Sequence, residues 1–137
     1  MLFQLRAVPL LNPDPTAYLP HRYPFLMLDR VLEQQPGISA RARYRTSASL
    51  QAFPQTLLVE AVAQLSGIAA MEQKGEGGFL ATVDKACFGR VPQLGDTLEV
   101  SARIIKSFGR LRLVEGQVMV EGEELLSVTL TLGIGSL

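Results

Sequence analysis

Leu57-Leu-Val-Glu-Ala-Val-Ala-Gln-Leu-Ser-Gly-Ile-Ala-Ala-Met71 is the stretch on which the fold turns. Its apolar residues fall on every side of a 3.6-residue period, which marks a helix buried all round and not one with a single apolar stripe. Pro54 heads the segment and Gly75 follows it, so the spacing predicts a helix over residues 54–74, about 30 Å long at 1.5 Å per residue. Ala61, Ala63, Gly67, Ala69 and Ala70 allow neighbouring backbone to approach closely. Such a helix needs walls, and the flanking sequence supplies them.

After Gly77 the period changes. Residues 79–88, 97–106, 110–120 and 124–132 read as strands. Gly95-Asp96, Phe108-Gly109 and Glu121-Gly122 supply turns between them, so the last three strands form an antiparallel meander. Before the helix, residues 38–46 alternate, with Ile38, Ala40, Ala42 and Tyr44 on one face and Arg41, Arg43 and Arg45 on the other. Residues 26–32 read as a further strand, Gln35-Pro-Gly37 as a turn and residues 47–55 as a loop. Asp14-Pro15 opens one short helical turn through Tyr18, and Pro20 and Pro24 prevent a longer one. One buried helix with consecutive strands makes an α+β fold, a curved antiparallel sheet wrapped around a central helix.

Residues 1–137 are expected to form one domain. Charged residues make up only 19%, below the roughly 25% of soluble domains, which suggests that another subunit covers part of the surface. Thirteen basic residues balance thirteen acidic ones, so no net charge draws the chain to nucleic acid or membrane. One cysteine, Cys87, and one histidine, His21, exclude an intrachain disulfide and a structural zinc site. No metal or cofactor is expected. Cys87 reads as a small buried hydrophobe. No apolar run approaches the ~18 residues of a membrane span, Arg6 interrupts the apolar start, and a reduced, cytoplasmic compartment fits.

Three motifs carry a resemblance. Leu19-Pro-His-Arg-Tyr-Pro-Phe-Leu-Met-Leu-Asp-Arg-Val31 resembles the opening signature of bacterial 3-hydroxyacyl-[acyl-carrier-protein] dehydratases. Phe53-Pro-Gln-Thr-Leu-Leu-Val-Glu-Ala-Val-Ala-Gln64 is similar to that family's central-helix motif. Thr82-Val-Asp-Lys-Ala-Cys-Phe-Gly-Arg-Val-Pro92 with Gly95-Asp96 is similar to its post-helix strand and turn. The resemblance implies the hot-dog fold, a homodimer with its active sites at the interface, and often three dimers together. It also implies an acyl thioester substrate on an acyl carrier protein or coenzyme A, in fatty-acid or related biosynthesis.

One departure stands out. Where the family carries its catalytic His before the central helix, this chain reads Ser47-Ala-Ser-Leu-Gln-Ala-Phe-Pro54. Either Ala52 occupies the His position or the His loop is deleted; the deletion keeps the register through Glu60 without a second gap. His21 belongs to the opening motif, which active members carry in addition to their catalytic His.

Glu60 is the candidate catalytic residue. A carboxylate early in a helix also complements the partial charge of the N-terminus, but the resemblance places Glu60 at the family's catalytic acid. Gln64, one turn later on the same face, either orients Glu60 or satisfies nearby backbone. Gln64, Phe53, Pro54, Leu57, Phe79 and Phe88 are candidate substrate-binding residues, Phe79 and Phe88 on family position, and plain core is the other reading of the apolar ones. His21 and Arg22 read as structural. The Arg41, Arg43 and Arg45 face, with Arg90, Lys106, Arg110 and Arg112 elsewhere, is either a solvated surface or a dock for an acidic carrier protein. Three functions fit: a dehydratase-like protein weakened by loss of its base, an acyl-thioesterase using Glu60, or a non-catalytic partner in a hetero-oligomer with an active dehydratase.

Overall fold

The computed structural model describes residues 11–46 and 53–136; the expected loop before the helix lies, as to residues 47–52, outside them. A 3-10 turn at Pro15–Ala17 leads to β1 (Arg30–Gln35) and β2 (Ser39–Arg45), then α1 (Thr56–Ala70), β3 (Glu76–Phe88), β4 (Thr97–Phe108), β5 (Leu111–Val120) and β6 (Glu123–Ser136). Asp14 caps the 3-10 turn, accepting from the backbone N–H of Thr16 at 2.9 Å. The six strands form one antiparallel sheet in the order β1-β2-β4-β5-β6-β3, and β4-β5-β6 is the expected meander.

α1 packs against every strand of this sheet. Residues 61–70 are buried without exception, as an all-round apolar helix requires. Leu58, Val62, Leu65 and Ile68 meet the inward-facing Val100, Val114, Val118 and Leu130. Along β4, Leu98, Val100 and Ala102 are buried while Glu99 and Arg103 face out, the two-residue period of a half-buried strand. Gly116 in β5 marks the closest seating of the helix, because a Cβ there would run into Val62. In the β5–β6 turn Glu121 (φ 48°) and Gly122 (φ 81°) both adopt the left-handed conformation that a two-residue hairpin favours.

Several boundaries differ from the sequence reading: β3 begins at Glu76 and not at residue 79, β6 runs to Ser136 and not to residue 132, α1 begins at Thr56 and not at residue 54, and two others have a visible cause. The first strand begins at Arg30 and not at residue 26, because the Met27 N–H donates to the Gln64 side chain instead of to a neighbouring strand. The helix stops at Ala70, with Met71 extended, because the Glu76 carboxylate accepts from the N–H groups of Glu72 (3.0 Å) and Gln73 (2.8 Å) and turns the chain toward β3. Its 15 residues span about 22 Å.

β3 pairs only with β6, so its other edge is open. Two register shifts, at Leu80/Thr82 and Val83/Lys85, bend it. Phe79, Leu80, Val83 and Phe88 are exposed along it. Cys87 is exposed on the same strand and is not the buried hydrophobe expected.

Candidate functional site

Glu60 stands in the second turn of α1, where the helix emerges from the core and its side chain is 41% exposed. Gln64 follows one turn later and is buried. Its Oε1 accepts from the Met27 backbone N–H at 2.8 Å. Its Nε2 donates to the Phe25 carbonyl and to Glu60 Oε1, both at 2.9 Å. One amide thus pins the 25–27 backbone and donates to the Glu60 carboxyl. The opening motif is fixed from both ends. Arg22 Nη1 donates to the Leu19 and His21 carbonyls at 2.7 and 2.8 Å, and the Arg45 N–H donates to Asp29 Oδ2 at 2.6 Å.

Glu60 borders two cavities. The larger, about 590 Å³, is mainly apolar and includes Tyr23, Phe25, Tyr44 and Leu57, with Asp29 and Arg45 as its other charged residues. Burial, with smaller contributions from Asp29 and Tyr23, holds the Tyr44 phenol above its ordinary range, so it remains a neutral donor. The smaller cavity, about 260 Å³, lies between α1 and β3 and includes Leu19, His21, Gln64, Gly67 and Phe79. Leu57 thus borders the larger cavity and Phe79 the smaller. Phe53, Pro54 and Phe88 border neither cavity. Phe53 is buried against Tyr44, ring centroids 6.2 Å apart, and belongs to the core. Phe88 lies at the far end of β3, opposite Leu126, and Pro54 is exposed ahead of the helix.

His21 is nearer to Glu60 than its structural reading implied. Its Nε2 lies 3.8 Å from Glu60 Oε1, beyond a hydrogen bond but within ion-pair range, in the same chain. Its Nδ1 is buried with no partner among the described residues. No spacing rule signals this approach; the fold of the 19–29 segment across α1 produces it.

The basic residues divide. Arg41 faces Glu33 at 3.7 Å, and Arg90 holds both Asp96 (2.9 Å) and Glu123 (2.6 Å). The Gln93 N–H and then Arg90 hold the Asp96 carboxyl below its usual range. Lys106 lies over the Phe108 ring at 4.7 Å. Arg45 alone of them borders the Glu60 cavities.

The comparisons with known proteins agree with this architecture. No family model matches the chain. It is 36% identical over 129 residues to the 3-hydroxyacyl-[acyl-carrier-protein] dehydratase FabZ of Oceanobacillus iheyensis, covering 85% of this chain and 92% of that protein. It is 32% identical over 130 residues to FabZ of Bacillus subtilis, with the same coverage of 85% and 92%. The chain belongs to the FabZ dehydratase family. Among solved structures, a chain of the dehydratase heterocomplex ApeI:P from Xenorhabdus doucetiae superposes with a TM-score of 0.75 at 16% identity, covering 89% of this chain and 91% of that one. The smu.793 protein of Streptococcus mutans, bound to acetyl CoA, superposes at 0.67 with 14% identity over 77% and 87%. The fold is the α+β hot-dog fold. Among the described residues, no helix is long and apolar enough to cross a membrane, and no three acidic, His or Cys side chains could hold a metal ion.

Proposed function

We propose that this chain binds a 3-hydroxyacyl thioester with the C3 hydroxyl at Glu60. One observation carries the reading: a carboxyl braced by Gln64 at the meeting of two cavities, in a member of a dehydratase family. The larger cavity suits an acyl chain, and Arg45 at its border suits an acidic acyl carrier protein, with coenzyme A as the other carrier.

Loss of water breaks the C2–H and C3–O bonds and forms the C2=C3 double bond. Glu60 gives its proton to the departing hydroxyl, while a base must take the C2 proton. The family resemblance assigns that base to a His for which this sequence has Ser47-Ala-Ser-Leu-Gln-Ala-Phe-Pro54. Loss of such a base costs about 10²–10⁴-fold, or about 3–5 kcal/mol of barrier. The homo-oligomer therefore binds acyl thioesters and dehydrates them slowly.

The open β3 edge, with Phe79, Val83 and Phe88 exposed, is the surface on which a second copy completes a homodimer; the family resemblance implies three such dimers together. The same edge supports a second reading, in which an active dehydratase subunit pairs there and supplies the His. Dehydration assays with 3-hydroxybutyryl and longer thioesters, alone and with an intact dehydratase, test both. Slow, Glu60-dependent dehydration alone supports the first reading, and stimulation by the partner supports the second. Glu60-dependent thioester hydrolysis without dehydration replaces both with a thioesterase.

A further inference from the structure

We propose that His21 is a positioning residue for Glu60, acting on the carboxyl edge that Gln64 already holds. The inference rests on the function proposed above for Glu60 and adds a residue to the site.

Glu60 Oε1 faces two nitrogens, Gln64 Nε2 at 2.9 Å and His21 Nε2 at 3.8 Å. Oε2 has no partner among the described residues, so the carboxyl is held by one oxygen and presents the other. Gln64 holds Oε1 by a hydrogen bond, and the His21 ring, beyond hydrogen-bond reach, limits where that oxygen can swing; a reacting group gains from being held in a single orientation. The imidazole has little else to do. Its Nδ1 is buried and unpartnered among the described residues, which leaves Glu60 as the one side chain that its polar atoms address. A buried ring nitrogen without a partner is costly, and such groups in a native fold call for a compensating role. Nor is His21 needed to fasten its own loop, since its carbonyl and that of Leu19 are taken by Arg22, and the backbone on the other side by Gln64.

Glu60 also borders the larger cavity, with Tyr23, Asp29, Tyr44 and Arg45 as the titratable residues there. Glu60 and His21 are the titratable residues bordering the smaller cavity, while Leu19, Ala63, Phe79 and Leu132 from the packed elements are apolar. Arg22, adjacent in sequence, points Nη1 to backbone carbonyls. At 3.8 Å no hydrogen bond joins the ring to Oε1, while a protonated His21 adds an ion pair there.

The test uses the intact protein, its Glu60→Gln variant, and two changes at His21. His21→Phe keeps a ring and removes both nitrogens; His21→Gln returns an amide donor near the Nε2 position. One measurement follows the ¹³C signal of the Glu60 carboxyl against pH. The wild type should show a second inflection coinciding with the His21 ring titration, and His21→Phe should lose it. A single Glu60 inflection in the wild type, blind to His21, overturns the proposal even if His21→Phe fails to fold. The other measurement compares binding of 3-hydroxybutyryl-pantetheine and its 3-deoxy analogue, butyryl-pantetheine. His21→Phe should lower the preference for the hydroxy compound, by up to about the tenfold that losing one hydrogen bond costs and that Glu60→Gln should also show, without weakening the deoxy compound, and His21→Gln should restore most of it. A wild type that binds both compounds with the full preference retained in His21→Phe overturns the positioning role alone. A wild type that binds neither removes the acyl-thioester reading, while the carboxyl titration still decides whether His21 and Glu60 are coupled.

Discussion

Gln64 does two structural tasks with one amide, and this makes it the most consequential polar residue of the site. Replacing it with Leu leaves the Met27 N–H without its partner in a buried position and frees the Phe25 carbonyl and the Glu60 carboxyl. An unsatisfied buried polar group costs about 1–3 kcal/mol, so Gln64→Leu should lower stability by about 2–3 kcal/mol in denaturant titration. Acyl-thioester binding should fall with it, because the 25–27 backbone borders the larger cavity. Stability within a few tenths of a kcal/mol of wild type would show that the brace is dispensable. Gln64 was legible in the sequence as a polar residue one turn from Glu60 in an apolar helix. Its backbone partners were not, because they come from a segment 37 residues away that only the tertiary fold brings over the helix. The approach of His21 to Glu60 was hidden for the same reason. Leu57 and Phe79 do border Glu60's cavities, while Phe53 turned into the core against Tyr44, a packing choice that a lone aromatic before a helix does not announce.

Between elements, the contact of α1 with β5 is the least forgiving. Gly116 has no room for a Cβ because Val62 fills the space, and its strand is flanked on both sides by paired neighbours. Gly116→Val should destabilise the fold by about 1–3 kcal/mol through overpacking, measured by thermal denaturation; an unchanged Tm would mean that the helix can lift off the sheet cheaply. The β3–β4 connection carries a pH dependence. Asp96 is held ionised by the Gln93 N–H and by Arg90, so its folded pKa lies below its unfolded one. Its contribution is therefore present above the unfolded value near 4 and is lost as pH falls through the folded value. Asp96→Asn should cost about 1 kcal/mol at neutral pH, with the gap to wild type closing below about pH 4. A gap constant with pH would contradict the assignment. Strands β4, β5 and β6 were legible from periodicity because burial imposes it directly, and the helix from apolar residues on every side; β3 is exposed along nearly its whole length, so burial did not mark it. The ends of α1 and the start of β1 were not legible, since the Glu76 and Gln64 side chains set them by capturing backbone groups.

At the scale of the whole molecule, the sheet is closed on neither side, and β3 is the edge that combines open hydrogen-bonding groups with exposed apolar side chains. A charge placed there should separate subunits with little effect on the protomer. Val83→Lys should shift sedimentation equilibrium toward monomer at micromolar concentration while the far-ultraviolet spectrum stays unchanged. A wild type that sediments only as a monomer would remove the proposed dimer. The account's central claim, however, concerns Glu60, and the most direct measurement is the dehydration rate of 3-hydroxybutyryl thioester by the purified protein, set beside Glu60→Gln. The account predicts a slow rate, about 10²–10⁴-fold below that of an intact family member, that Glu60→Gln abolishes while butyryl thioester binding persists. Rapid dehydration, or a slow rate that Glu60→Gln leaves untouched, would contradict it.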